Sequence, residues 1–166
     1  MANLQLPHFG QLDASSLEEY YAVTIEFNGR SIQIDLNFEH ISIEPKKLAT
    51  VKHFIENIRI YDLNNKKYID TDYTDEEADT VKTYVQYHLE ELGKDELAGL
   101  IDPRSKAATH EKQLLKQLHL VRVGLYPDTN NQFATFDYSI GADITDQLVV
   151  IFTDENGNLD YMTIES

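Results

Sequence analysis

The chain contains no cysteine and no tryptophan, and only four prolines and seven glycines in 166 residues. Without cysteine there is no disulfide, thiolate metal centre or thiol nucleophile, and a reducing, cytoplasmic compartment is expected. No apolar run approaches the ~20 residues a membrane span needs. The segment MANLQLPHFG has neither a basic stretch nor an apolar core, so no signal peptide is expected. Positive charge is also scarce. Fourteen Lys and Arg stand against twenty-nine Asp and Glu, a formal net charge of −15. Segments 1–44 and 118–166 hold fifteen of the acidic residues, and their only Lys or Arg are Arg30 and Arg122. Such a distribution argues against nucleic acid or an anionic membrane as partner and suits a basic one.

What is present describes a folded domain. A hydrophobic content of 42%, with ten Tyr and seven Phe, is too high for a disordered chain. The length suits one domain, 1–166, that buries roughly 70% of its unfolded surface and needs no covalent staple.

Residues 20–38 read as a β-hairpin. Tyr21, Val23, Ile25 and Phe27 alternate with Ala22, Thr24 and Glu26, and Ile32, Ile34, Leu36 and Phe38 alternate with Gln33, Asp35 and Asn37. Asn28-Gly29 between them supplies the two positive-φ positions of a type I′ turn. Upstream, Leu4, Leu6, Phe9 and Leu12 can pack against the sheet, but Pro7 and Gly10 argue against a regular strand there.

The middle third reads as three helices. Pro45 suits a first helical turn, and Leu48, Val51, Phe54, Ile55, Ile58 and Tyr61 form an apolar stripe running to about Leu63. Thr74-Asp75-Glu76-Glu77 has the form of a capping box opening a second helix, which Gly93 ends. Asp102-Pro103 interrupts the chain, and a third helix is expected over about Ser105 to Gln117.

From Leu118 the pattern returns to strands. LHLVRVGLY and FATFDYSI flank the turn cluster Pro127 to Asn131, and QLVVIFT and LDYMTIE flank Asp154 to Asn158. Leu148 to Phe152 is apolar at every position, as in a central strand. The expected class is α+β. An N-terminal hairpin, a three-helix middle and four C-terminal strands form a mainly antiparallel sheet with helices packed on one face.

Catalytic motifs are few. There is no GxGxxG, no P-loop and no GxSxG. Asp154-Glu155-Asn156-Gly157 resembles a calcium loop, but glycine stands fourth rather than sixth and no glutamate follows at position twelve, so a turn is expected. His88 and Glu91, at i and i+3 of the second helix, share a face and form the one spacing that suits a metal. His88 also lies on that helix's apolar stripe, where a core histidine is the common case. Neither a cofactor nor a bound metal is expected. Strand alternation places Glu26, Gln33, Asp35, Asn37, Asp137 and Arg122 on one polar side of the sheet. That side reads as a solvated face, an acidic docking surface or, with clustered carboxylates, an acid–base or divalent-cation site. Glu26, Asp35 and Asp137 are expected to lie exposed there and to create a local negative field.

Several stretches also resemble a bacterial family catalogued as a domain of unknown function, number two thousand and four in that series. They are Leu6-Pro7-His8-Phe9-Gly10, Ile34 to Glu39, His88 to Leu92, Leu120 to Pro127 and Phe136 to Ile140. The resemblance spans nearly the whole chain and implies a bacterial cytoplasmic protein without an assigned activity. The expected function is non-catalytic binding of a basic protein through Glu26, Asp35, Asn37, Arg122 and Asp137, as an immunity protein or antitoxin does. The alternatives are a small metal-assisted hydrolase using sheet carboxylates with His88 and Glu91, or a structural subunit of an assembly.

Overall fold

A computed structural model of the chain describes residues 3–129 and 132–166. Its class is α+β, and the described residues form a six-stranded sheet, a separate two-stranded hairpin and five α-helices. The turn residues Asn130 and Asn131 lie outside the described residues.

The hairpin expected at residues 20–38 is present as β3 (Tyr20–Phe27) and β4 (Arg30–Asn37). Asn28 and Gly29 sit at φ 52° and 78°, the left-handed pair that lets two strands reverse over two residues. The segment before it also forms strands, contrary to expectation. β1 (Asn3–Leu6) and β2 (Gly10–Asp13) pair antiparallel as a sheet of their own. Pro7, a residue that would break a strand, falls in the turn between the two strands, where its missing N–H costs no ladder bond.

The helical block differs more. The first helix is two: α1 (Pro45–Glu56) and α2 (Ile58–Thr74), separated at Asn57, whose φ of −116° breaks the helical run. Thr74 therefore ends a helix and does not cap one. Its hydroxyl donates back to the Asp70 and Thr71 carbonyls. The next helix, α3 (Thr80–Glu91), is served instead by Asp72, whose carboxylate accepts from the Val81 amide at 2.7 Å. A short α4 (Lys94–Ala98) follows. The third expected helix shrinks to a 3-10 turn, Ala107–Thr109, and α5 (His110–Leu115).

Four strands close the chain: β5 (His119–Leu125), β6 (Ala134–Ser139), β7 (Leu148–Thr153) and β8 (Leu159–Glu165). The sheet order is β3-β4-β5-β6-β7-β8, antiparallel at every junction except β4–β5, which is parallel. The whole helical block is the crossover between those two strands, as a parallel pair requires. β7 is interior but only one place from the edge; β6 is buried at all six positions.

Side-chain alternation divides the sheet into two faces. Ile32, Ile34, Leu36, Val123, Leu125, Phe136, Tyr138, Val149 and Ile151 point inward and are buried. Helices meet the sheet on this side. Phe54 of α1 packs 5.8 Å from Phe136 and 4.4 Å from Tyr61 of α2. The Tyr138 hydroxyl donates to Asp62 of α2 at 2.7 Å. Tyr84 of α3 donates to the Gln147 carbonyl at 2.9 Å. Among the described residues, no helix is long and apolar enough to cross a membrane.

Candidate functional site

The other face carries Gln33, Asp35 and Asn37 on β4, Arg122 and Gly124 on β5, and Thr135 and Asp137 on β6. The register makes them neighbours. Gln33 pairs with Arg122, Asp35 with Gly124, and Arg122 with Asp137. Gly124 leaves a gap between Asp35 on one side and Thr135 on the other. The Arg122 guanidinium lies in that gap, so close that a Cβ at position 124 would stand 2.5 Å from its Nη2.

From there Arg122 grips Asp35 with two parallel bonds, Nε to Oδ2 at 2.7 Å and Nη2 to Oδ1 at 2.9 Å. Such a fork-to-carboxylate pair is the strongest ordinary ion-pair geometry. Nη2 also donates to the Tyr126 hydroxyl at 3.1 Å, and Nη1 reaches Asp137 Oδ2 at 3.3 Å. Two amides complete the shell of Asp35. Gln33 donates to Oδ2 at 3.0 Å and Asn37 to Oδ1 at 2.7 Å. Asn37 also bonds the Leu125 carbonyl, and Gln33 the Tyr20 hydroxyl.

Asp35 is fully buried and Asp137 8% exposed, although both stand on the uncovered face. The expected exposed negative field is therefore corrected. Arg122 and the two amides cover Asp35, and Arg122 offsets the charge of both carboxylates. Burial works against the Arg122 charge, yet its bonds to Asp35 and Tyr126 and the charge of Asp35 hold the guanidinium above its ordinary pKa. Asp137 goes the other way. Burial pushes its carboxyl up, Arg122 opposes this, and Glu165 and Asp35 add to the rise. Its cross-strand neighbour on β7 is Val150, which is buried and offers no hydrogen bond from its side chain.

Beside this polar centre runs an apolar strip. Leu148, Val150 and Phe152 of β7 project to the same side, and Phe152 stacks on Tyr161 of β8 at 4.4 Å. A shallow depression of about 340 Å³ lies between Asp137, Tyr126, Phe152 and Glu165. Tyr20 and Tyr161, both about half exposed, stand at the two edges of the sheet.

Four of the five residues expected to form a binding face thus come together: Asp35, Asn37, Arg122 and Asp137. Glu26 shares the face but stands apart, exposed and bonded by Ser31, four residues further along β3 than the partner of Asp35. Sequence reasoning missed Tyr126 and the space left by Gly124. The signal was available: positions 122, 124 and 126 share one face of a strand, and a glycine between an arginine and a tyrosine leaves room for a folded-back side chain.

The metal spacing on α3 does not assemble. His88 is 1% exposed, and both its nitrogens are engaged. Nδ1 donates to the Tyr84 carbonyl at 2.7 Å, and Nε2 accepts from the Thr145 hydroxyl at 2.9 Å. Burial lowers its pKa, so the neutral ring is favoured. Glu91 is exposed at the end of the helix, and the sheet carboxylates face the opposite side of the sheet. Among the described residues, no cluster of three or more His, Asp or Glu side chains has a metal-holding arrangement. The Asp154 loop is a turn: its carboxylate accepts from the Asn156 and Asn158 amides of its own hairpin at 2.8 and 2.9 Å.

No family model, no curated protein and no solved structure matches the chain.

Proposed function

We propose that the chain is a non-catalytic binding protein whose uncovered sheet face receives a basic protein. The observation that carries this reading is the state of that face. Its central carboxylate, Asp35, accepts four side-chain hydrogen bonds and is not free to act as a base or nucleophile. A satisfied polar centre beside an apolar strip formed at the surface by Leu148, Phe152 and Tyr161 suits recognition better than turnover. Glu26 and Glu165, exposed on the same face, carry the negative charge that Arg122 does not offset, so the partner's complement is positive. An immunity or antitoxin role in a bacterial cytoplasm, free of cofactors, is one instance of this reading, and membership in the unknown-function family named above belongs to the same proposal.

The test is capture from native lysate with wild type and with a variant carrying Tyr20→Ala, Glu26→Gln, Tyr161→Ala and Glu165→Gln. These positions are exposed; Tyr20→Ala removes the hydroxyl that Gln33 also meets, while the bonds of Gln33, Asn37 and Arg122 to Asp35 stay in place. Wild type should retain a basic protein that the variant loses. Equal capture by both proteins, or capture of acidic proteins only, refutes the reading.

A further inference from the structure

Arg30, the other cation of the strand segments, belongs to a second constellation. A polar cavity of about 210 Å³ opens between the Asn28–Gly29 turn, α2 and the connection from α5 to β5. Arg30, Lys66, Lys116 and His119 line it, with Asp62 as its single carboxylate. Arg30 Nη1 lies 3.4 Å from His119 Nε2. His119 Nδ1 donates to the Gln117 carbonyl at 2.8 Å, so in the neutral ring Nε2 holds the lone pair and faces Arg30.

Asp62 does not neutralise the cavity. One of its oxygens accepts from Tyr138 at 2.7 Å and the other meets Lys66 at 3.4 Å. Among the described residues, Arg30 and Lys116 have no carboxylate within ion-pair distance. The three permanent cations and one carboxylate of the lining sum to +2, and Asp143, near enough to act on His119, brings the local excess to +1, still positive in a chain of −15. Contact charges decide what such a cavity attracts, because charges further than about 8 Å are largely screened at physiological ionic strength. His119 reports the same field. Burial lowers its pKa, the Gln117 carbonyl opposes this, Arg30 and Lys66 lower it further, and Asp143 raises it. Of the three cations only Lys66 has a carboxylate partner, Asp62, among the described residues.

We propose that this cavity binds a phosphate group, free or carried by a small metabolite. A tetrahedral dianion matches the net charge of the lining. Arg30 can present two parallel donors to it, and Lys66 and Lys116 act as point charges. His119 becomes a further donor when it takes a proton on Nε2. The cavity exceeds the volume of one phosphate group and leaves room for the molecule that carries it.

The test uses the His119 ring as reporter. Its proton signal is followed by NMR against pH, first with inorganic phosphate, then with glycerol phosphate, then with sodium chloride at matched ionic strength. The groups facing the ring are Arg30 from β4, Lys66 and Asp62 from α2, Lys116 at the end of α5, and Asp143 from the β6–β7 connection. Phosphate should shift the His119 signal saturably and raise its titration midpoint, while His8, His40, His53, His88 and His110 stay unmoved. Arg30→Gln and Lys116→Gln should each weaken the affinity at least five-fold, and Lys94→Gln, away from the cavity, should not. Tighter binding of glycerol phosphate identifies a carried phosphate, and tighter binding of the inorganic ion a free one. A shift that does not saturate, that chloride reproduces, or that survives both cavity substitutions overturns the proposal.

Discussion

Arg122 lies over Gly124, and the one is possible only because of the other. The guanidinium occupies the space a Cβ at position 124 would need, 2.5 Å from Nη2 and 2.9 Å from Cζ. From there it reaches Asp35, the residue that β4 places opposite Gly124.

Gly124→Ala should therefore destabilise the fold by about 1–3 kcal/mol, the usual cost of overpacking a filled site. Urea unfolding measures it. The two sites are coupled, so the same alanine placed in an Arg122→Met background should cost much less. An equal cost in both backgrounds would mean that the glycine serves something other than the arginine.

Arg122→Met leaves Asp35 and Asp137 without their cation. Loss of one partner from a buried pair costs roughly 3–5 kcal/mol, and the lower end applies here because the Arg122 side chain is 29% exposed and water can partly replace it. Without the guanidinium the opposition to the rise at Asp137 is gone. A carboxyl held higher in the folded state than in the unfolded state makes the folded protein bind more protons. Its contribution to stability is then greatest at low pH and is lost as pH rises. The deficit of the variant relative to wild type should accordingly shrink as pH falls from 7 toward the carboxylate range. Paired denaturation curves at pH 7 and pH 5 show whether it does.

Gly29→Val tests the hairpin. No atom lies within 4 Å of the site a Cβ would take, so any cost is conformational: φ is 78°. A β-branched residue held there should lose about 1–3 kcal/mol. An unchanged thermal midpoint would contradict the left-handed turn.

His88 gives the fold an acid-sensitive element. Burial holds its pKa below 6.5, and burial does the same at His119. The unfolded chain then binds more protons than the folded one. Stability is full above about pH 6.5 and declines as pH falls below it. His88→Gln should lower stability at pH 7.5 by about 1–3 kcal/mol through lost buried hydrogen bonds, and should flatten the decline between pH 7 and 5.5. Equilibrium unfolding across that range decides it, and an unaltered slope would mean that His88 is not responsible.

Much of the sheet was legible because its signals are local. Alternation and an Asn-Gly turn specify β3 and β4 without reference to the rest of the chain, and the two C-terminal hairpins follow in the same way. The helical block was less legible because its boundaries depend on side chains that pair across a break. Thr74 has the residue pattern of a cap, but Asp72 two places earlier reaches the Val81 amide first. Asn57 divides a continuous apolar stripe that gives no sign of interruption.

The polar face was half legible. Period-two alternation put Asp35, Asn37, Arg122 and Asp137 on one side. It did not reveal the parallel β4–β5 register that sets Asp35 against Gly124, since pairing across a long crossover leaves no local trace. Burial of Asp35 on this face needs that register, which brings Arg122 over it, together with the Gln33 and Asn37 amides of its own strand.

The face around Asp35, Arg122 and Asp137 is the working surface we propose. The most direct measurement is an NMR footprint of the captured basic partner on isotope-labelled protein. Side-chain signals of Tyr20, Gln33, Asn37, Thr135, Phe152 and Tyr161 should move, while Tyr87 on α3 and Ile60 on α2 should not. A footprint centred on Tyr87 and Ile60, with the sheet-face signals unmoved, would contradict the account.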